Sequence, residues 1–336
     1  MEVTVTGPIP KAYAYAHARL ARNHVVGMIS YQADDRDYNQ AAFKRFVEIC
    51  RPPKGEELHW YRGMIYTLQN GRATINFSVK NFFLKPCPYE NYINTFERVA
   101  SGIGATHSVK PRDEVEKRLF DYQGKARYRP APPGGNVAAV RQQIAHYGSN
   151  WRAYPMMRPR YAALDYAYYR HGGAGTGYYG TSFFVLKEYM KTVGTYCHCD
   201  TFAANNDLRR RRHEYGGQVR SSSETIARYH EMPKLLYYLH PFTLKEVYAY
   251  TTGQKQYLSE AYVPKFPDSE KLLSYIEIQL HSDVVFSRDI DYMVISRSDV
   301  FDTAAPFVHE AYQRDQIIKH AESFAYRHGF RMYMVE

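Results

Sequence analysis

Tryptophan and cysteine are scarce in this 336-residue chain, with two of the first and four of the second. Cys50, Cys87, Cys197 and Cys199 are too few and too irregularly spaced to build a disulfide framework. Cys197 and Cys199 flank His198, but Cys50 and Cys87 do not supply the second ligand pair that zinc spacing asks for. No metal is therefore expected, and the pair reads as reduced cysteines in a strand. Long apolar runs are missing too. Runs such as Thr181–Leu186 fall far short of the ~20 residues of a membrane helix. Met1–Thr6 contains no basic segment leading into an apolar one, so no cleaved signal peptide is expected. The expected site of synthesis is a bacterial cytoplasm, with any export following a route that reads no conventional signal.

What is present is a globular composition, 45% hydrophobic and 23% charged, which excludes collagen-like, coiled-coil and disordered classes. The length suits one large domain or two small ones. A net charge of +10 favours an anionic partner: nucleic acid, a membrane surface or a phosphorylated cofactor. Tyrosine is the oddity, at 33 residues. Its ring buries while its hydroxyl keeps a hydrogen bond, which suits half-buried clefts, and alternation with arginine also suits single-stranded nucleic acid.

Apolar residues at helical spacing predict helices within 11–50, the second running from Asp37 to Cys50, stopped by Pro52-Pro53. His59–Tyr66 and Ala73–Val79 are rich in β-formers, and Asn70-Gly71 between them predicts a hairpin turn. Thr181–Leu186 and Leu273–Leu280 read as strands, Asp302–Arg327 as a helix and Phe330–Val335 as a closing strand. Residues 203–224 read as an exposed polar segment. The sum is an α+β protein: an N-terminal helical region (1–55), a body (56–300) carrying a polar insertion at about 203–260, and a C-terminal helix and strand (301–336).

Four constellations carry candidate chemistry. Arg62-Gly63, read at a strand end, could aim a guanidinium fork at a phosphate, though a solvated surface arginine has the same signature. Gly175–Gly180 fits G-x-G-x-x-G, but a strand follows it where a dinucleotide fingerprint needs a helix, so a flexible loop is expected. Glu277, Gln279 and His281 share one strand face by alternation, either as the wet side of an amphipathic strand or as a site for a cationic centre and a ribose. Arg209–Arg212 reads as a solvated loop, or as a grip on nucleic acid.

Taken in order, Arg62, a Ser/Thr-bearing strand and a late strand glutamate resemble the ADP-ribosyltransferase fold. Ala73–Phe77, Phe96 with Ser101–Gly104, and Arg158–Asp165 resemble blocks of an uncharacterised bacterial family grouped with those enzymes. Tyr179–Ser182, Thr195–Thr201 and Tyr275–His281 continue the resemblance, which covers about two-thirds of the chain. The pattern is also similar to bacterial effectors that ADP-ribosylate a threonine of host ubiquitin. Ser78-Val79-Lys80 departs from that family's His-Pro-Asp, and Gln279 stands where a Glu-x-Glu pair has its second acid, which speaks against arginine as acceptor.

The resemblance implies a split β-sandwich with peripheral helices that cleaves NAD, its substrate, and hands ADP-ribose to a host protein. Glu277 would stabilise the oxocarbenium-like state, Arg62 clamp the pyrophosphate, and Ser182 hold Glu277 in place. Phe96 or Tyr161 would face the nicotinamide, with Asn76, Ser101 and Gln279 completing the NAD contacts. The expected partner is an acceptor protein, ubiquitin foremost, and no membrane. A basic, tyrosine-rich nucleic-acid-binding protein is the alternative, and a non-catalytic scaffold on the same fold a third reading.

Overall fold

The computed structural model describes residues 37–100, 109–120, 158–174, 180–215, 222–254, 275–301 and 311–335. Asp37 begins the first helix as its cap, its carboxylate accepting from the backbone of Asn39 and Gln40. That helix, α1 (Tyr38–Cys50), ends ahead of the two prolines with Arg51 in the left-handed region. There follow α2 (Glu57–Asn70), α3 (Val79–Phe83), α4 (Thr95–Ala100), α5 (Val109–Phe120) and α6 (Ala204–Arg210). The later helices are α7 (Met232–Tyr238), α8 (Pro241–Thr251), α9 (Phe286–Asp289), α10 (Arg297–Phe301) and α11 (Ala311–His328).

The strands among the described residues are β1 (Arg72–Phe77), β2 (Asn91–Tyr92), β3 (Arg160–Asp165), β4 (Ser182–Leu186) and β5 (Gly194–Cys197). β6 (Ala227–Arg228), β7 (Ile276–Leu280), β8 (Val284–Val285), β9 (Ile290–Ser296) and β10 (Arg331–Val335) complete the set. Eight of them form one mixed sheet in the order β10-β9-β4-β1-β3-β7-β5-β6, and β2 pairs with β8. Only β9 and β10 run parallel within it. Helices and strands are mixed as expected. The hydrogen-bond order runs unbroken through all eight strands.

Its centre is nevertheless weak. β1 and β3 pair only through Arg72–Thr74 with Ala163–Asp165. Beyond Thr74, β1 continues along β4 to Phe77, whereas β3 before Ala163 pairs with β7 back to Arg160. Backbone groups on the facing edges of Ile75–Phe77 and Arg160–Ala162 thus lack a ladder between them, and the sheet parts into two halves along this line.

One sheet face carries most of the apolar core. Ile75, Phe77, Leu164, Phe184, Ile276, Ile278 and Leu280 lie there with side chains from α1, α2, α7, α8 and α11. Three expectations change. His59–Tyr66 is helical, because Tyr61, Met64 and Leu68 recur at helical spacing and bury in this core, which outweighs the β propensity of single residues. Asn70-Gly71 therefore ends a helix instead of turning a hairpin, and Gly71 is needed because a Cβ would sit 2.8 Å from the Tyr166 Cα. The region around 203–260 is no mere polar insertion, since Leu235, Leu236, Leu239, Leu244 and Val247 are core residues. α1 shares the same core, so the boundary expected at 55 marks no separate unit among the described residues. Residues 11–36 of the expected N-terminal helices lie outside them.

Gly180 closes the loop into β4 with φ of +93°, and a Cβ there would lie 2.2 Å from the Phe77 carbonyl oxygen. Gly180→Ala is expected to destabilise the protein by more than about 2 kcal/mol, from backbone strain and that clash together. Equal urea midpoints for variant and wild type would refute this.

Glu246, on α8, has its carboxyl pushed up to about 7 by burial, against a weak donation from the Tyr166 hydroxyl. Folding favours its neutral form. Its contribution is fully present below the unfolded carboxylate range and is lost as pH rises through about 7. Glu246→Gln should therefore stabilise the chain by about 1–3 kcal/mol at pH 8 and hardly at all at pH 4. The same change in stability at both pH values would contradict the assignment.

Candidate functional site

Alternation along β7 turns Glu277 and Gln279 away from the apolar core, and Tyr275 and His281, just beyond the strand, fall on the same side. This is not a wet face: Glu277, Gln279 and His281 are 1%, 0% and 3% exposed. They are instead tied together. The Gln279 amide donates to Glu277 Oε1 at 3.0 Å, and the Tyr275 hydroxyl donates to Glu277 Oε2 at 3.0 Å. Thr195, opposite Gln279 on β5, donates to Gln279 Oε1 at 2.9 Å and lies 2.9 Å from His281 Nε2. Tyr161 faces Gln279 from β3.

Burial raises the Glu277 carboxyl to about 8; the neighbouring Asp200 adds to the rise and Arg112 opposes it. A carboxyl of this kind waits for a cation. Any positive group brought beside it favours its ionised form.

α5 lies over this face. Its Arg112 guanidinium sits over the Tyr161 ring at 4.0 Å and over the Phe202 ring at 3.9 Å, and donates to Thr201 Oγ1 at 2.9 Å. Thr201 also hydrogen-bonds Glu277. A flat cation is thus held between two aromatic rings beside a buried carboxyl. Phe202 is 42% exposed, so one wall of this slot reaches solvent. The other wall is fixed from below. The Tyr161 hydroxyl donates to Glu116 Oε1 at 2.7 Å, Glu116 Oε2 accepts from Arg158 at 2.9 Å, and Arg158 also pairs with Asp113.

Of the residues expected to form the site, Glu277, Gln279 and Tyr161 come together. Asn76 lies on the same sheet face, on the β1 side of the split. Its amide donates to the carbonyls of His171 (2.7 Å) and Gly180 (3.1 Å), and its oxygen accepts from the Ala174 backbone (3.2 Å). Phe96 packs under Arg158, its ring centre 4.5 Å from the guanidinium. Ser101 is outside the described residues, as are Gly175–Tyr179 of the glycine-rich loop.

Arg62 and Ser182 do not join them. α2 buries Tyr61, Met64 and Leu68 in the core cluster that also holds Ile276, Ile278 and Leu280, hence on the face opposite Glu277, and Arg62 on it is exposed. The error follows from reading that segment as a strand. Ser182 opposes Phe77 and alternates with Phe183, so its side chain is also on the core side, where its hydroxyl accepts from the Ser296 backbone at 3.0 Å. β1 and β3 separate its strand from β7, about 14 Å at the usual strand spacing. Ser182 cannot orient Glu277. Within Arg209–Arg212, Arg211 is buried and bound to Asp207, so the run is no uniform cationic patch.

Arg112, Tyr275, Asp200, Thr201 and Phe202 were missed. Tyr275 was within reach, since the alternation that groups Glu277 with Gln279 extends back to it. Arg112 lies on a polar helix far away in sequence and carried no local signal.

The fold and site thus define a mixed α/β protein whose parted sheet buries a carboxyl–amide–imidazole row under a helix. Residues 73–333 match the model of a family described as proteins of unknown function (DUF3626), and the chain belongs to that family. No curated protein matches the chain.

Proposed function

We propose that the protein is a mono-ADP-ribosyltransferase of the split-β-sandwich kind, which cleaves NAD and transfers ADP-ribose to a protein side chain. The observation carrying this reading is the slot beside Glu277. The nicotinamide of NAD is, like a guanidinium, a flat delocalised cation, and Tyr161 and Phe202 already hold one such cation against the carboxyl. Arg112 then occupies the place of the substrate's ring and must swing aside for it, after which its charge is at hand for the pyrophosphate. The incomplete pairing of β1 with β3, with Asn76 on one side and Tyr161 on the other, supports the same reading.

In the reaction the nicotinamide–ribose bond breaks through an oxocarbenium-like state, and ionised Glu277 stabilises the charge that develops on the ribose. Gln279 and Tyr275 hold that carboxylate by one hydrogen bond on each oxygen, so it need not reorganise as charge builds. Gln279 in the second acidic place favours a hydroxyl acceptor over arginine, and a threonine of ubiquitin is the first to test. The biological setting that goes with this activity is a bacterial effector or toxin acting in a host cell.

Incubation of the full chain with biotinylated NAD and either a cell lysate or purified ubiquitin tests the proposal by blot. Label on a protein band, with release of nicotinamide, is expected. Neither label nor nicotinamide release under any of these conditions would overturn it. No helix among the described residues is long and apolar enough to cross a membrane.

A further inference from the structure

We propose that Cys197, His198 and Cys199 form a binding site for one zinc ion, against the sequence expectation of plain reduced cysteines. The two sulfurs and a ring nitrogen of His198 all lie within 4.8 Å of one another, and all three residues are buried. Tetrahedral zinc with sulfur ligands at 2.3 Å sets neighbouring sulfurs about 3.8 Å apart, so the triangle needs to contract by no more than about 1 Å. Residues adjacent in sequence reach this because β5 ends at Cys197 and the chain bends through His198 and Cys199.

The imidazole is already set for the task. His198 Nδ1 lies 3.9 Å from the Cys197 sulfur, and Nε2 lies 2.9 Å from Asp207 Oδ2. A carboxylate on the far nitrogen fixes the tautomer in which Nδ1 carries a lone pair toward the metal. Asp207 is itself held by Arg211, whose Nε donates to Oδ1 at 2.9 Å. This ion pair balances its own charge, so the two sulfurs, which lose their protons as a metal binds, would be offset by the divalent ion. Thiolate and imidazole donors together select zinc over the oxygen-seeking magnesium and calcium. Three protein donors leave one tetrahedral position for a water. Cys197 opposes Glu277 in the β5–β7 ladder, so the ion would brace the strand end beside that carboxyl.

Cobalt, which takes the same geometry and has colour, is the probe. The full-length chain, stripped with a chelator under reducing conditions, should bind one Co2+ per molecule. Thiolate-to-cobalt charge-transfer bands should appear in the near ultraviolet and vanish when zinc is added. Cys197→Ser and Cys199→Ser should each abolish the bands, while Cys50→Ser and Cys87→Ser leave them intact. Asp207→Asn should weaken zinc binding about 10- to 100-fold. Because both serine variants sit at buried positions, a second measurement uses the unaltered chain: zinc should protect Cys197 and Cys199 from alkylation, read by mass spectrometry. Absence of charge-transfer bands in the wild type, bands that survive in both serine variants, or alkylation indifferent to zinc would each overturn the site. None of these readouts depends on NAD.

Discussion

Glu277→Gln is expected to lower NAD cleavage by about 10²–10³-fold while leaving the fold intact. The substitution keeps volume and retains hydrogen-bonding capacity toward Tyr275 and Gln279, but removes the one charge placed to meet a developing cation. A resting carboxyl raised to about 8 is mainly neutral near pH 7, so the amide should not disturb the empty protein. The effect belongs to the transition state. It should therefore appear mainly in kcat, with a smaller loss of NAD affinity from the bound nicotinamide cation that the carboxylate also faces. Arg62→Ala, on the opposite face, serves as a control and should turn over NAD like the wild type. Undiminished nicotinamide release by the Glu277 variant, with an unchanged circular dichroism spectrum, would remove this residue from the chemistry.

Arg158→Met should be the most destabilising single change around the site, by about 3–5 kcal/mol at pH 8. Arg158 and Glu116 are both fully buried, and Arg158 is the cation that Glu116 shares with Asp113. Removing it leaves the Glu116 carboxylate in a low-dielectric interior where, among the described residues, the Tyr161 hydroxyl still donates to it and the Arg112 charge lies nearby. Burial already pushes that carboxyl above its ordinary value. In the variant it rises further, so the folded form takes up a proton that the unfolded form has released. The penalty should shrink as pH falls toward 5. Replacing both partners, as Arg158→Met with Glu116→Leu, should recover much of the loss, because an apolar pair leaves no stranded charge. A pH-independent penalty, or a double variant no better than the single, would show that packing over Phe96 dominates instead.

How much of this was legible in the chain depends on the range of the signal. Period-two alternation is local, so Glu277, Gln279 and His281 could be grouped on one face from the sequence. The helix start at Asp37 and the stop at Pro52-Pro53 likewise act within a few residues. The segment 57–70 misled because Trp60, Tyr61, Ile65 and Tyr66 favour strands individually, whereas the spacing of Tyr61, Met64 and Leu68 belongs to a helix that only core burial makes worthwhile. With that segment went Arg62. Ser182 failed for a different reason: its strand was read correctly, but its face depends on which strands flank it.

The amino-acid order by itself determined the mixed class, the run of the late strand and the polar row on it, since these follow from backbone periodicity. Whether that row is wet or buried, and which cation meets it, was decided only by folding. Strand order put β3 and β5 on either side of β7, α5 covered them, and Arg112 and Phe202 arrived from distant parts of the chain. Long-range pairing of this kind rests on shape and solvent exclusion, for which no short stretch of residues carries a code.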